Sequence, residues 1–185
     1  YDKAFAPFEK RFLEKWRAET LSYLPENAKI LEIGAGTGLN FKHYPKCRHA
    51  VASEISIKML EVAKTKTTTI DLLQTDAEQL PFPDNYFDAA FATLLFCAIP
   101  NPKKAFAELR RVLKAKDKII LLEHVRPNGL FGYFFDVLNV FTVTLFEDHF
   151  NRQTAKIAEN SGLKIIEIKK KAFGVVNLII CEVEK

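Results

Sequence analysis

The sequence predicts an α/β domain built on a doubly wound, mostly parallel sheet of seven strands. Three observations predict it. Short apolar runs alternate with longer amphipathic ones along the chain, and a cluster of glycines directly follows the first run. No Pro/Gly/Ser-rich linker or internal repeat interrupts the order, so 185 residues with 48% hydrophobic side chains read as one domain, 1–185, around one core.

Phe5, Phe8, Phe12, Leu13, Trp16, Leu21 and Leu24 recur at helical spacings among charges, and Pro25 with Asn27 stops the pattern. An amphipathic leading helix over 4–24 is expected. Lys29 to Ile33 then reads as a strand, Gly34-Ala-Gly-Thr-Gly38 as a turn, and Leu39 to Tyr44 as the helix after it. The alternation continues with strands at Ala50 to Glu54, Ile70 to Thr75, Tyr86 to Ala92 and Lys118 to His124, and helices at Ser56 to Lys66 and Pro102 to Lys114. Repeated βα units imply parallel strands covered on both faces. Arg152 to Ser161 is a helix stopped by Gly162. Lys164 to Lys170 and Val175 to Glu184 are two closing strands joined near Gly174, which predicts an antiparallel C-terminal edge pair.

Charge and cysteine content narrow the function classes. With 27 Lys+Arg against 23 Asp+Glu, the net of +4 is too small to be the footprint of a dedicated nucleic-acid binder. Cys47, Cys97 and Cys181 form no CxxC pair, so neither a disulfide framework nor a metal site is expected. The most hydrophobic stretch, Leu130 to Phe146, is broken by Gly132, Asp136 and Asn139 and falls short of the ~20 residues of a membrane-spanning helix. A reducing, cytoplasmic setting is expected, with peripheral membrane contact as the second reading. A chain that opens on Tyr1 leaves room for a targeting or anchor segment upstream.

Three of the seven glycines fall within Gly34-x-Gly36-x-Gly38, where backbone amides can approach a ligand because no Cβ obstructs them. The spacing departs from the dinucleotide fingerprint GxGxxG, since Leu39 stands where Gly or Ala is required, and this weighs against an NAD-dependent dehydrogenase. Twenty residues after Gly34, Glu54 ends the second strand, where a carboxylate can accept both hydroxyl protons of a ribose. Asp76 ends the third and could read an adenine amine; its bland alternative is a helix N-cap with Glu78 in the first turn.

The chain resembles the class I S-adenosylmethionine-dependent methyltransferases. The likeness runs through Ile30-Leu-Glu-Ile-Gly-Ala-Gly-Thr-Gly38, Ser53-Glu-Ile-Ser-Ile-Lys-Met-Leu60, Asp76-Ala-Glu-Gln-Leu-Pro-Phe-Pro83, Phe87-Asp-Ala-Ala-Phe-Ala92 and Leu109-Arg-Arg-Val-Leu113, in collinear order over nearly the whole chain. The resemblance implies a Rossmann-like fold and S-adenosylmethionine as cofactor, with S-adenosylhomocysteine as product. It places Glu32, Gly34, Ala35, Gly36 and Gly38 around the methionine moiety and Glu54 on the ribose. Ile55 and Met59 would pack on the adenine, Asp76 and Ala77 would read its edge, and Thr93 and Leu94 would approach the sulfonium side. Lys116-Asp117 replaces the family's usual Pro-Gly-Gly turn before the fifth strand, a change distal to the site. Cys97-Ala-Ile-Pro-Asn-Pro102, Leu122-Glu-His-Val-Arg-Pro127 and His149-Phe-Asn-Arg-Gln-Thr154 are most similar to the methyltransferase-like thiol methyltransferases, within the small-molecule branch that also includes ubiquinone/menaquinone-biosynthesis methyltransferases and bacterial phospholipid N-methyltransferases.

Such an enzyme needs a bound sulfonium, a dry site and a base for the acceptor proton. His124, at the end of the fifth strand, and His149 are the candidate catalytic bases, each weighed evenly against a hydrogen-bonded structural role. Glu123 and Arg126 read as strand-end or ion-pair contacts, and Cys97 as a small hydrophobe. The apolar insert 128–146 reads equally as a helix packed on the core and as a lid over a hydrophobic acceptor pocket. The acceptor expected is a small, lipid-like molecule: a thiol, a lipid amine or a quinone precursor. The alternatives are an S-adenosylmethionine-binding protein without turnover and an RNA methyltransferase. The second is weakened because the basic residues of Lys103 to Lys118 and Lys169 to Lys171 lack interleaved aromatics. The sequence leaves the oligomeric state open.

Overall fold

A computed structural model describes residues 12–124 and 153–185. The expected helix N-terminal to residue 12, the insert 128–146 and His149 lie outside the described residues. Helix α1 (Glu14–Leu21) leads into β1 (Lys29–Ile33), the glycine turn and a single 3-10 turn at Phe41–His43. β2 (His49–Glu54), α2 (Ile57–Lys64), β3 (Asp71–Gln74), β4 (Phe87–Thr93), α3 (Pro102–Val112) and β5 (Leu113–His124) follow. α4 (Thr154–Asn160), β6 (Leu163–Lys171), a 3-10 turn at Ala172–Gly174 and β7 (Val176–Val183) close the chain.

The seven strands form one sheet in the order β3-β2-β1-β4-β5-β7-β6. The pairs from β3 to β5 are parallel, and β7 lies antiparallel between β5 and β6. The expected C-terminal pair is therefore present, with β7 as the reversed strand and β6 as the edge. Strand order changes direction between β1 and β4, and open α/β sheets bind ligands outside the carboxyl ends of strands at such a switch point.

Both faces are covered, which is why the central strands are apolar without strict alternation. On one face Leu31, Ile33, Ala90, Ile119 and Leu121 pack beneath Ala105, Phe106, Leu109 and Val112 of α3. On the other, Ile30, Phe91, Ile120 and Leu122 pack beneath Leu21 and Leu24. Side chains alternate along a strand, so Glu32 points to the same face as Ile30, the one covered by α1.

Local chemistry sets most boundaries. Ser56 caps α2 by accepting from the Met59 N–H at 3.4 Å; Asn101 caps α3 by accepting from Lys104, with Pro102 at its first position. The helix expected over Leu39 to Tyr44 is only a 3-10 turn. Pro45 disfavours the α region for Tyr44, which adopts φ −60°, ψ 135°, and too few residues remain to propagate a helix from Gly38. α1 likewise ends before Leu24, where Leu24 precedes Pro25. Lys116 takes φ 67° at an irregularity near the start of β5, and Asp117 accepts there from the Lys114 N–H at 3.1 Å.

The basic stretches are solvated and paired. Arg111 bonds Glu108 and Asp84, and Lys114 pairs with Asp88. The lysines of edge strand β6 discourage further strand pairing, while Lys171 reaches Glu19 on α1 at 2.7 Å. Cys97 and Cys181 are buried, and burial pushes the Cys181 thiol up to about 12, so it behaves as a small hydrophobe.

Phe96 stacks on Phe106 with centroids 4.2 Å apart, joining the loop after β4 to α3 in the larger core layer. Phe106→Ala is expected to cost about 3–5 kcal/mol of unfolding free energy, the range for a buried Phe truncation, with Phe106→Leu costing much less. Urea denaturation of both variants checks it.

Candidate functional site

The site is built where β1, β2 and β4 end. Gly36 and Gly38 take φ 56° and 80°, values that L side chains rarely adopt. A Cβ at Gly38 would lie 2.5 Å from the Phe41 ring, whereas one at Gly36 would meet nothing within 4 Å. The turn is thus closed against the core at Gly38 and open at Gly36. Gly34 lies against Leu95, and the buried Ala35 donates its N–H to the Ser53 carbonyl at 2.9 Å.

Glu54 holds this turn to the end of β2. Its carboxylate accepts from the Gly36 N–H at 2.9 Å and the Ser56 N–H at 3.0 Å, and it is 7% exposed. A carboxylate offers about four acceptor positions, so two backbone donors leave capacity for two hydroxyls. Directly after it stand apolar side chains left in water, Ile55 at 65% and Met59 at 37% exposed, with Ile57 beside them. The Ile55 carbonyl is tied to β3 by the Gln74 side chain at 3.1 Å. Asp76 is exposed, and one of its oxygens accepts from the Glu78 N–H at 2.8 Å in an Asx turn; no helix follows it, so the expected alternative of a helix N-cap does not apply. Ala77 beside it is half-buried.

A second carboxylate lies inside the molecule. Glu32 is fully buried, with one oxygen accepting from Asn40 Nδ2 and the other from the Tyr44 hydroxyl, each at 2.5 Å. Asn40 Nδ2 also donates to Thr93 Oγ1 at 2.9 Å, and Asn40 Oδ1 accepts from Arg17 at 3.0 Å. Arg17, itself buried on α1, donates to Thr93 Oγ1 at 2.6 Å. Burial pushes the Glu32 carboxyl up to about 7, against the pull of Tyr44, Asn40 and Arg17. Burial and the neighbouring Glu32 also push the Tyr44 hydroxyl well above its usual value, so it remains a donor.

Thr93 ends β4 and Leu94 follows at φ 55°, a conformation costly for a non-glycine residue and typical of ligand-facing turns. Its N–H is held by the Leu122 carbonyl at 2.7 Å. Buried Glu123 accepts from Leu95 N–H and Phe96 N–H, both at 3.1 Å, the strand-end role expected of it. His124 ends β5, two residues beyond the register partner of Thr93, and is half-buried. The structure thus gathers Glu32, the glycine turn, Glu54, Thr93 and Leu94 at one switch point and sets Ile55, Met59, Asp76 and Ala77 along its β2–β3 side.

Arg17, Asn40 and Tyr44 were not singled out by sequence reasoning. Arg17 carried a usable signal: it stands four residues from Leu13 and from Leu21, on the apolar stripe of the leading helix. Asn40 and Tyr44 carried none, because their partners lie on β1, β4 and α1. A groove of about 830 Å³, rimmed by Lys42, Lys46, Arg48 and Lys66 and lined also by Gly38 and Tyr44, opens at the starts of β2 and β3.

Residues 31–121 match the family described as "Methyltransferase domain". The chain is thereby similar to the class I S-adenosylmethionine-dependent methyltransferases. It is 37% identical over 107 residues to demethylmenaquinone methyltransferase of Renibacterium salmoninarum, covering 57% of this chain and 44% of that protein. It is 28% identical over 131 residues to phosphatidylethanolamine N-methyltransferase of Cereibacter sphaeroides, covering 67% and 63%. The chain spans about half the length of the curated relatives it matches. A solved chain from the complex between the Haloferax volcanii Trm112 methyltransferase activator and a methyltransferase shares the fold, with a TM-score of 0.81 at 16% identity over 100% of this chain and 95% of that one. The methyl donor of the family is S-adenosylmethionine.

The raised Glu32 carboxyl has a signed consequence for the domain. A group protonated more readily in the folded than in the unfolded chain contributes stability below its usual value of 4.5, and that stability is lost as pH rises through about 7. The loss is on the order of 3 kcal/mol. Glu32→Gln is expected to flatten the pH dependence of unfolding free energy between pH 4.5 and 7.5, measured by denaturation at several pH values. An unchanged slope would show that Glu32 does not titrate in this range.

Proposed function

We propose that the domain transfers a methyl group from S-adenosylmethionine to a small hydrophobic acceptor. The observation that carries the reading is the pairing of a nearly buried carboxylate, Glu54, with the open Gly36 and the exposed apolar Ile55 and Met59. A ribose needs the first, close backbone approach needs the second, and an adenine ring rewards the third. These residues fit the adenosine of the cofactor.

When bound, S-adenosylmethionine supplies a methyl group already activated as a sulfonium. The chain binds and orients: Glu54 takes the ribose hydroxyls, Ile55 and Met59 cover the adenine, and Asp76 with the Ala77 backbone meets its edge. The glycine turn, Thr93 and Leu94 line the methionine end, with Glu32 acting on it through Asn40 and Thr93. His124, at the end of β5 on the same edge, is the described candidate for taking the acceptor proton, and His149 remains the second candidate. The relatives' names support a quinone-like or lipid-amine acceptor, and the 16 phenylalanines agree with an apolar one. No helix among the described residues is long and apolar enough to cross a membrane.

Incubating the protein with methyl-labelled S-adenosylmethionine and a panel of demethylated quinones, phosphatidylethanolamine and alkyl thiols, followed by product mass spectrometry, tests the reading. Label is expected in one acceptor class; cofactor binding with no labelled product would make this a binding domain without turnover. Glu54→Ala is expected to weaken S-adenosylhomocysteine binding by about 1.5–3 kcal/mol, the range for a hydrogen bond to a charged group. Calorimetric titration checks it, and an unchanged dissociation constant would remove Glu54 from the cofactor site.

A further inference from the structure

We propose that Arg17, carried by the leading helix, is a positioning residue for the cofactor: through Thr93 and Asn40 it makes docking of α1 and binding at the switch point stabilise each other. The inference rests on the reading of this site as one for S-adenosylmethionine.

The hydrogen-bond arithmetic of the cluster supports it. Thr93 Oγ1 accepts from Arg17 at 2.6 Å and from Asn40 at 2.9 Å, which fills both acceptor positions of a hydroxyl and leaves its proton one direction. Asn40 uses its oxygen on Arg17 and both amide protons on Glu32 and Thr93, so its orientation is determined: a flipped amide would set an NH2 against the guanidinium. Arg17 therefore decides which way two groups at the switch point face. Each belongs to a different segment, Asn40 to the chain after the glycine turn and Thr93 to the end of β4.

The contact is also unusual in origin. Arg17 lies outside the matched methyltransferase segment 31–121, and its link to Thr93 crosses 76 residues of sequence. A guanidinium that is 7% exposed needs compensation, which Glu32 provides across Asn40. With α1 undocked, Thr93 and Asn40 would each lose a charged donor and Glu32 its nearest cation. Ordering by the cofactor of the ends of β1 and β4 would restore the pocket into which Arg17 fits, so the coupling is reciprocal.

The test is a double-mutant cycle read in S-adenosylhomocysteine affinity by calorimetry, with urea denaturation of every variant run beside it. Arg17→Met, Thr93→Val and the double variant are compared with the unaltered protein, and Arg17→Lys serves as the conservative control. Arg17→Met is expected to weaken binding roughly 10- to 100-fold, the range for losing a charge-assisted hydrogen bond. Arg17→Lys should recover part of it. The double variant should bind like the weaker single variant, since Arg17 acts through Thr93. Ligand protection of α1 from limited proteolysis should be present in the unaltered protein and lost in Arg17→Met. Folded Arg17→Met that binds within twofold of the unaltered protein, or effects that simply multiply in the double variant, would overturn the proposal. If the unaltered protein itself fails to bind S-adenosylhomocysteine, the cofactor reading fails instead. If Arg17→Met does not fold, Thr93→Val and Arg17→Lys decide by the same affinity and proteolysis readouts.

Discussion

A carboxylate buried at the fourth position of β1 has to be satisfied without water, and much of the arrangement around the switch point follows from that demand. Strand alternation turns Glu32 toward the face that α1 covers. An ionised carboxylate there would be costly alone. Two donors meet it, Asn40 and Tyr44, and both come from the short segment after the glycine turn. That segment must stay close to β1, which the single turn before Pro45 accomplishes and a longer helix would not. Asn40 passes the requirement on to Thr93 and Arg17, so the burial of one acid ties together the ends of two strands and the helix laid over them.

Glu54 does different work with the same functional group. It sits at the rim, where its two oxygens hold the open side of the glycine turn and keep acceptor capacity in reserve. Glu32 is inward and sets the scaffold; Glu54 stands at the rim, where the ribose of the proposed cofactor would meet it. Between them the backbone is left-handed at the glycines and at Leu94; β2 holds Gly36 through the Glu54 carboxylate and β5 holds Leu94 through the Leu122 carbonyl. Strain placed on a rigid scaffold keeps donors and apolar surfaces in position before any ligand arrives, which lowers the cost of ordering them on binding.

The remaining charges serve the exterior. Arg111, Lys114 and Lys171 each find a carboxylate, and β6 shows lysines to the solvent along the only edge of the sheet on that side. Pairs near the surface add little to stability, and the lysines of β6 discourage pairing at the edge. For the proton transfer of the proposed reaction, His124 at the end of β5 is the candidate among the described residues.

The sequence specifies through local signals the strands, most of the helices, the glycine turn and the acid at the end of β2. These depend on periodicity, capping chemistry and covalent neighbours, as with Ser56, Asn101 and Gly38, and such signals sit within a few residues of the structure they specify. It also carried Arg17 on a helical stripe, without saying what a charge there was for. Only the tertiary structure decided that β7 inserts between β5 and β6, that the segment after Gly38 is a turn rather than a helix, and that Asn40 completes Glu32. The reason is distance along the chain: Arg17 and Thr93, or Asn40 and Thr93, meet only once the sheet is assembled. Their value comes from hydrogen bonds that are strong because burial has removed water, a condition no local stretch of sequence contains.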